Sequence, residues 1–164
     1  IALLHDTKHS WRDETIGADC GLLSGLDGQL FDIRAEFEIG TASEFGFRIR
    51  GMGTVSYDVD QGRAQLNGQV TKASRWVLAP LQRRVKLQVL VDRSSIEAFF
   101  DEGRAYLMST FFPNDEDQSL TVFSSGGSTR LVSLDVYELK SSWDRPDRRG
   151  ASRLPMMGGL SGDR

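Results

Sequence analysis

The sequence has little of what marks a nucleic-acid-binding or disulfide-stabilised protein. It carries 20 Lys and Arg against 23 Asp and Glu, for a net charge of -3. Because no basic excess is available to neutralise phosphates, the composition argues against a nucleic-acid partner. Cys20 is the only cysteine. The chain therefore cannot form an internal disulfide or a cysteine-rich metal site.

Long apolar runs and common catalytic signatures are also missing. No uninterrupted apolar stretch approaches the roughly 18 residues of a membrane span, so we expect no membrane partner. The N-terminal residues lack the features of a signal peptide, and the first residue is Ile1 rather than Met, which indicates a piece of a longer polypeptide. G-x-S-x-G, phosphate-loop and C-x-x-C motifs are absent. The sequence thus gives no support for Ser or Cys nucleophiles and implies no cofactor.

Histidine is nearly as scarce as cysteine. His5 and His9 are the only two, four residues apart, a spacing that suits a metal ion when both lie on a helix. The surrounding segment has no helical periodicity, and no third ligand is evident. We therefore predict no metal site.

What the sequence does contain is alternation, most clearly from Val85 to Phe100. Apolar residues occupy every second position of VKLQVLV, and the alternation resumes in IEAFF after a polar interruption. A period of two is typical of a strand with one buried face. The interruption, Asp92-Arg93-Ser94-Ser95, consists of residues that favour turns. The segment is predicted to be a β-hairpin.

Other segments repeat this pattern between Gly- and Asp-rich turns, and no helix of useful length is evident. Roughly ten short strands of this kind predict an all-β fold, an antiparallel two-sheet β-sandwich of jelly-roll or concanavalin-like type. A closed barrel is the alternative. The clearest further strands are Phe31 to Ile39, Glu44 to Arg50, Val55 to Asp60, Ala64 to Gly68, Ala105 to Phe112, Ser119 to Ser124 and Arg130 to Leu139.

The pattern divides the chain into three parts: a linker and leading loop over 1–21, a β-sandwich over 22–140, and a flexible C-terminal tail over 141–164. Ile1 to Leu4 is predicted as a short strand or the end of a linker. His5 to Gly17 is polar and unpatterned and is predicted as loop. Val70 to Pro80 is less regular and is predicted as an exposed connection that carries Trp76.

The hairpin supplies the candidates for acid–base chemistry. Asp92 and Glu97 flank its tip, and a glycosidase needs two carboxylates held across the scissile bond. Arg93 between them is placed to pair with either acid or to donate to a ligand hydroxyl. The structural alternative is turn chemistry for the acids and a surface ion pair for the arginine.

Two arginines and an aromatic residue are candidates for ligand binding. Arg48 and Arg50, two residues apart, are expected to project from one face of a strand, where guanidinium groups can bind a polyol or carboxylate. The alternative is a charged solvent face paired with Glu36 and Glu38. Tyr57 is a candidate to stack on a sugar ring, or else to pack at a sheet edge with its hydroxyl in water.

The hairpin and the strands around it resemble a known family. Val85 to Arg104 reads VKLQVLVDRSSIEAFFDEGR, and Thr110 to Pro113 reads TFFP. Together they look like the C-terminal β-sandwich domain of glycoside hydrolase family 32, the invertases, inulinases, levanases and related fructosyltransferases. The D-R-S-S-[IV]-E hairpin is the specific part of the resemblance. The same order continues through Leu23-Ser24, Phe31 to Phe37, Phe45 to Arg48 and Tyr57-Asp58.

The resemblance implies that the chemistry lies elsewhere. In that family a separate propeller domain supplies an Asp nucleophile, an R-D-P transition-state stabiliser and a Glu acid/base, and this sequence contains none of those motifs. The resemblance therefore implies a non-catalytic sandwich that stabilises the propeller of a fructan- or sucrose-cleaving enzyme. Such enzymes are secreted or, alternatively, cytoplasmic.

A related possibility is an autonomous module for fructan or fructose-terminated carbohydrate, like those of carbohydrate-binding family 66. Those modules resemble this sandwich. Those modules tend to carry an acid where this sequence has Arg34, and this difference argues against transferring their binding site to this chain.

Overall fold

The computed structural model describes residues 1–18, 20–51, 53–68, 74–111 and 116–141, without the side chains of 74–76. Eleven strands lie within this part of the chain, preceded by a short 3-10 helix over Ala2–Leu4. The strands are β1 (His5–Ile16), β2 (Phe31–Glu38), β3 (Glu44–Ile49), β4 (Gly53–Asp58), β5 (Arg63–Gly68), β6 (Ser74–Val77), β7 (Arg84–Val91), β8 (Ser95–Phe100), β9 (Ala105–Thr110), β10 (Leu120–Ser125) and β11 (Thr129–Leu139).

The strands form two antiparallel sheets, which confirms the predicted β-sandwich. One sheet has six strands in the order β1-β11-β2-β7-β8-β9, and the other has five in the order β10-β3-β4-β5-β6. The predicted hairpin is present as β7 and β8, with Val91 paired to Ile96 next to the turn. In the described ranges, no helix is long and apolar enough to cross a membrane.

The core lies between the inner faces of the two sheets. Each strand contributes every second side chain, because successive residues of a strand point to opposite faces. Phe37 on β2 is fully buried, and its ring lies 4.8 Å from that of Phe45 and 5.8 Å from that of Phe47, both on β3 of the other sheet. Aromatic contacts therefore join the two sheets directly.

The outer face of the six-stranded sheet is polar along its first strands and becomes more apolar toward β9. Strand register aligns its side chains into rows that run across the sheet. One row contains Asp135, Arg34, Gln88, Phe99 and Tyr106. The next contains Tyr137, Asp32, Leu90, Glu97 and Met108.

The N-terminal segment differs from its prediction. His5–Ile16 is a strand of 12 residues paired with β11, so the expected loop over His5 to Gly17 is wrong. Of the two possibilities given for Ile1 to Leu4, the short strand is wrong, because Ala2–Leu4 is a 3-10 helix. β1 is the edge of its sheet, and many of its side chains are polar and exposed. The alternation that reveals a half-buried strand is therefore weak in this segment.

Two other expectations fall near the limits of the described residues. Ser74–Val77 is a short edge strand paired with β5, so the connection predicted over Val70 to Pro80 is wrong for these residues. The side chain of Trp76 lies outside the described part of the chain. Apart from Ser141, so does the predicted C-terminal tail.

Candidate functional site

The turn between β7 and β8 is held by its own hydrogen bonds. The Asp92 amide donates to the carbonyl of Ser95 at 2.9 Å, and the Asp92 carboxylate accepts the amide of Arg93 at 2.7 Å. The carbonyl of Ser94 accepts the amide of Phe111 at 3.0 Å. These contacts leave the side chains of Asp92 and Arg93 exposed at the tip of the hairpin.

A cleft beside this turn brings together three of the predicted site residues. Its volume is about 360 Å³, and Asp92, Arg93 and Glu97 all line it. Lys140 supplies the other charged side chain, and the apolar lining comes from Ile1, Leu4, Leu30, Leu90, Val91 and Leu139. Apolar walls with a few polar groups are typical of small-molecule sites.

Glu97 points outward from β8 toward the edge strand. Its carboxylate accepts the hydroxyl of Tyr106 at 3.0 Å. Desolvation and the neighbouring Glu97 carboxylate both raise the pKa of Tyr106, so the tyrosine remains a neutral donor. The contact fixes one oxygen of Glu97 on the outer sheet face.

The two candidate arginines do not form a pair. Arg50 follows the last residue of β3 with a φ of 51°, which turns its side chain inward to 1% exposure. There it donates to the carbonyl of Arg93 at 3.3 Å. Arg48 lies on the outer face of the five-stranded sheet, with its guanidinium 4.1 Å from the ring centre of Phe123. The expectation that Arg48 and Arg50 project from one face is therefore wrong.

Tyr57 differs from both of its sequence interpretations. Its side chain is 2% exposed, and its hydroxyl donates to the carbonyl of Leu78 at 2.8 Å. The ring packs 5.7 Å from that of Phe45 in the core. Tyr57 thus ties β4 to the chain after β6 and presents no ring face to a ligand at the surface.

Sequence reasoning missed a polar cluster on the outer face of the six-stranded sheet. Asp32 is fully buried there, and its carboxylate accepts Arg34 Nη2 at 2.8 Å and Gln88 Nε2 at 2.9 Å. His5 Nε2 lies 2.9 Å from the same carboxylate, and the His5 ring stacks on Tyr137 at 3.9 Å. We call these five residues the Asp32 cluster.

The electrostatics of the cluster keep its acid ionised. Burial alone would raise the pKa of Asp32, but the hydrogen bonds from Arg34, Gln88 and His5 outweigh it and hold the pKa below the usual value. The outward alternation of β2 was a usable signal for Asp32 and Arg34. His5 and Gln88 lie 27 and 56 residues away, and no local pattern reveals such partners.

The histidines serve as partners of carboxylates. His5 contacts Asp32, and His9 Nε2 lies 2.7 Å from a carboxylate oxygen of Glu138. Among the described residues, no group of three or more potential metal-ligating side chains comes together.

Comparison with known proteins finds relatives that are named levanases and exo-inulinases. Residues 2–138 match the family described as glycosyl hydrolases family 32 C terminal. A levanase of Bacillus subtilis (strain 168) is 30% identical over 161 residues, which covers 87% of this chain and 24% of the levanase. A levanase of Bacillus sp. (strain L7) is 35% identical over 152 residues, which covers 82% of this chain and 16% of that enzyme.

A solved structure shares the fold. The exo-inulinase of Aspergillus awamori superposes with a TM-score of 0.73 at 24% identity, covering 87% of this chain and 31% of the inulinase chain. The match to the family extends from the 3-10 helix to the last strand, β11. The chain spans less than a quarter of the length of either levanase. This chain belongs to the C-terminal domain family of glycoside hydrolase family 32.

Proposed function

We propose that this chain is the non-catalytic C-terminal β-sandwich of a fructan- or sucrose-hydrolysing glycoside hydrolase, and that it stabilises the catalytic propeller of that enzyme. The observation that carries the proposal is the family match over residues 2–138. The levanases continue well beyond the matched segment, which makes up 24% and 16% of their lengths. That additional length is enough for a separate catalytic domain.

The contacts of the candidate acids support a non-catalytic role. Asp92 caps the amide of Arg93 within its own turn, and Glu97 holds the hydroxyl of Tyr106. Both contacts are those of structural residues, since turn aspartates and cross-strand hydrogen bonds stabilise hairpins. The resemblance assigns the catalytic carboxylates to the propeller.

An exposed apolar surface supports docking against another domain. Tyr106 and Met108 on edge strand β9 are 47% and 48% exposed, and Leu90 lies two strands away in the row of Met108. We call these three residues the β9 stripe. Glu97 lies between Leu90 and Met108 in that row, so the exposed apolar surface is centred on Tyr106 and Met108. Exposed apolar side chains grouped on an edge strand are typical of interaction sites. The proposed occupant is the remaining part of the parent enzyme, because the solved inulinase chain is about three times as long as the segment matched.

A chimaera tests the stabilising role. The matching segment of the Bacillus subtilis levanase is replaced by this chain, and thermal inactivation is compared with that of the levanase lacking the segment. We expect the chimaera to inactivate at the higher temperature, because binding to a folded domain stabilises it. Equal inactivation temperatures for the two proteins would contradict the proposed role.

The β9 stripe provides a sharper test in the same chimaera. The double variant Tyr106→Ser, Met108→Asp removes apolar surface and adds a charge, and we expect it to lower the inactivation midpoint by about 2 °C or more. In the isolated chain the same double variant loses the hydrogen bond from Tyr106 to Glu97 and should itself lower stability, by about 1 kcal/mol. Docking is therefore measured as the additional fall of the midpoint in the chimaera. Thr121→Asp is the control, because Thr121 is exposed on the outer face of the other sheet. An equal effect of the control would exclude the β9 stripe as the docking surface.

The alternative proposal is an autonomous fructan-binding module. The cleft that gathers Asp92, Arg93 and Glu97 favours it, and calorimetry with levan and fructose tests it. Absence of heat at millimolar ligand would count against this alternative. For either role we propose a secreted parent enzyme, since the relatives include an extracellular exo-inulinase of Aspergillus awamori.

A further inference from the structure

The outer face of the six-stranded sheet holds a second concave surface, which neither the hairpin cleft nor the β9 stripe includes. It has a volume of about 490 Å³ and spans β11, β2, β7, β8 and the turn after β8. Its lining includes Arg34, Glu36, Lys86, Gln88, Phe99 and Asp135. We call it the sheet-face depression.

The Asp32 cluster lies beside this depression and fixes two of its side chains. The side-chain amide N–H of Gln88 donates to the Asp32 carboxylate, so the amide oxygen Oε1 of Gln88 is directed away from Asp32. Arg34 donates Nε and Nη2 to the same carboxylate and makes no hydrogen bond through Nη1 within the described residues. A buried carboxylate thus holds one acceptor and one donor in fixed orientations. Binding sites are typically preorganised in this way, with the ligand-contacting side chains held in position by hydrogen bonds to a supporting residue.

The ionic side chains of the depression already have partners. Lys86 contacts Glu102 at 2.7 Å, and Arg84 contacts Glu36 at 2.8 Å. Asp135 contacts Arg12 at 2.8 Å and Lys8 at 3.1 Å. A charged ligand would have to displace one of these partners, so the depression favours a neutral ligand. Phe99 adds an apolar wall that suits the face of a sugar ring.

We propose that the sheet-face depression binds a neutral oligosaccharide. Its hydroxyl groups accept from Arg34 Nη1 and donate to Gln88 Oε1, and one ring lies against Phe99. Asp32 acts as a positioning residue that does not touch the ligand. The choice of a fructan as the first saccharide to test rests on the proposed function. The evidence for the site itself is its geometry.

Titration of the whole chain by amide NMR tests this site. Levanbiose and 1-kestose serve as probes, with maltose as an unrelated neutral sugar. We expect shift changes to cluster at Arg34, Gln88 and Phe99, with weak affinity because the surface is shallow. Binding of any of these sugars at those residues supports the proposal. No binding by any of them, or shifts confined to the cleft of Asp92 and Glu97, would overturn it.

Paired variants separate the depression from the cleft. Gln88→Leu removes the acceptor at similar size and should weaken binding about fivefold, the effect of one lost hydrogen bond. Asp92→Asn in the cleft should leave the dissociation constant unchanged. The opposite pattern would assign the sugar to the cleft. The NMR titration locates the binding site in the chain without substitutions. A folding defect in Gln88→Leu would therefore leave the proposal testable. Failure of binding leaves the chimaera result, and with it the proposed function, unaffected.

Discussion

Replacing Phe37 by alanine is expected to destabilise the chain by about 3–5 kcal/mol, the largest effect we predict for one substitution. Phe37 is fully buried and contacts Phe45 and Phe47 of the opposite sheet. The change removes a large apolar side chain and leaves a cavity between two sheets that cannot close without moving the strands. Urea unfolding followed by tryptophan fluorescence or circular dichroism measures the loss.

Tyr106→Ala is the matched control for Phe37→Ala. It also removes an aromatic ring, but from the outer face, where the side chain is 47% exposed. We expect this control to cost about 1 kcal/mol or less. Equal losses from the two variants would contradict a core formed by stacking of the two sheets.

Replacing Asp32 by asparagine is expected to cost about 2 kcal/mol at neutral pH, because charged hydrogen bonds inside the Asp32 cluster are lost. The cost should depend on pH in a definite direction. The folded pKa of Asp32 lies below its usual value. Its stabilising contribution is therefore complete above the unfolded pKa of about 3.9 and disappears as the pH falls through the folded pKa.

Unfolding free energies of the chain and of Asp32→Asn, measured between pH 7 and the acid limit of folding, test this dependence. The difference between them should be largest at neutral pH and shrink below about pH 4. Glu102→Gln is the control, since Glu102 is an exposed carboxylate paired with Lys86, and it should cause no measurable change. A difference that stays constant with pH would show that the Asp32 charge does not stabilise the fold.

The fold was largely predictable because its strands have one buried face. In Phe31–Glu38 and Arg84–Val91 every second residue is apolar, and those residues are buried in the structure. Asp32 departs from the pattern, since it is on the outer face and is nevertheless buried. β1 was not predictable in this way. Because β1 is an exposed edge strand, most of its residues are polar, and the apolar alternation that identifies a strand is not visible in its sequence.

The candidate sites were less predictable, because they depend on contacts between distant residues and on local backbone conformation. Alternation places Arg48 and Arg50 on one face, but the left-handed conformation of Arg50 turns it into the interior. Asp32 looks like an ordinary outward acid until β1 brings His5 against it. The hairpin residues Asp92, Arg93 and Glu97 lie close in sequence, and the structure does bring them to one cleft.

The most direct test of the central claim is to incubate the purified chain with sucrose, inulin and levan and to measure the fructose released. If the catalytic carboxylates belong to another domain, release should not exceed that of a buffer control. Fructose release that scales with the concentration of the chain, and that falls in Asp92→Asn or Glu97→Gln, would contradict a non-catalytic sandwich and would place hydrolysis in the hairpin cleft.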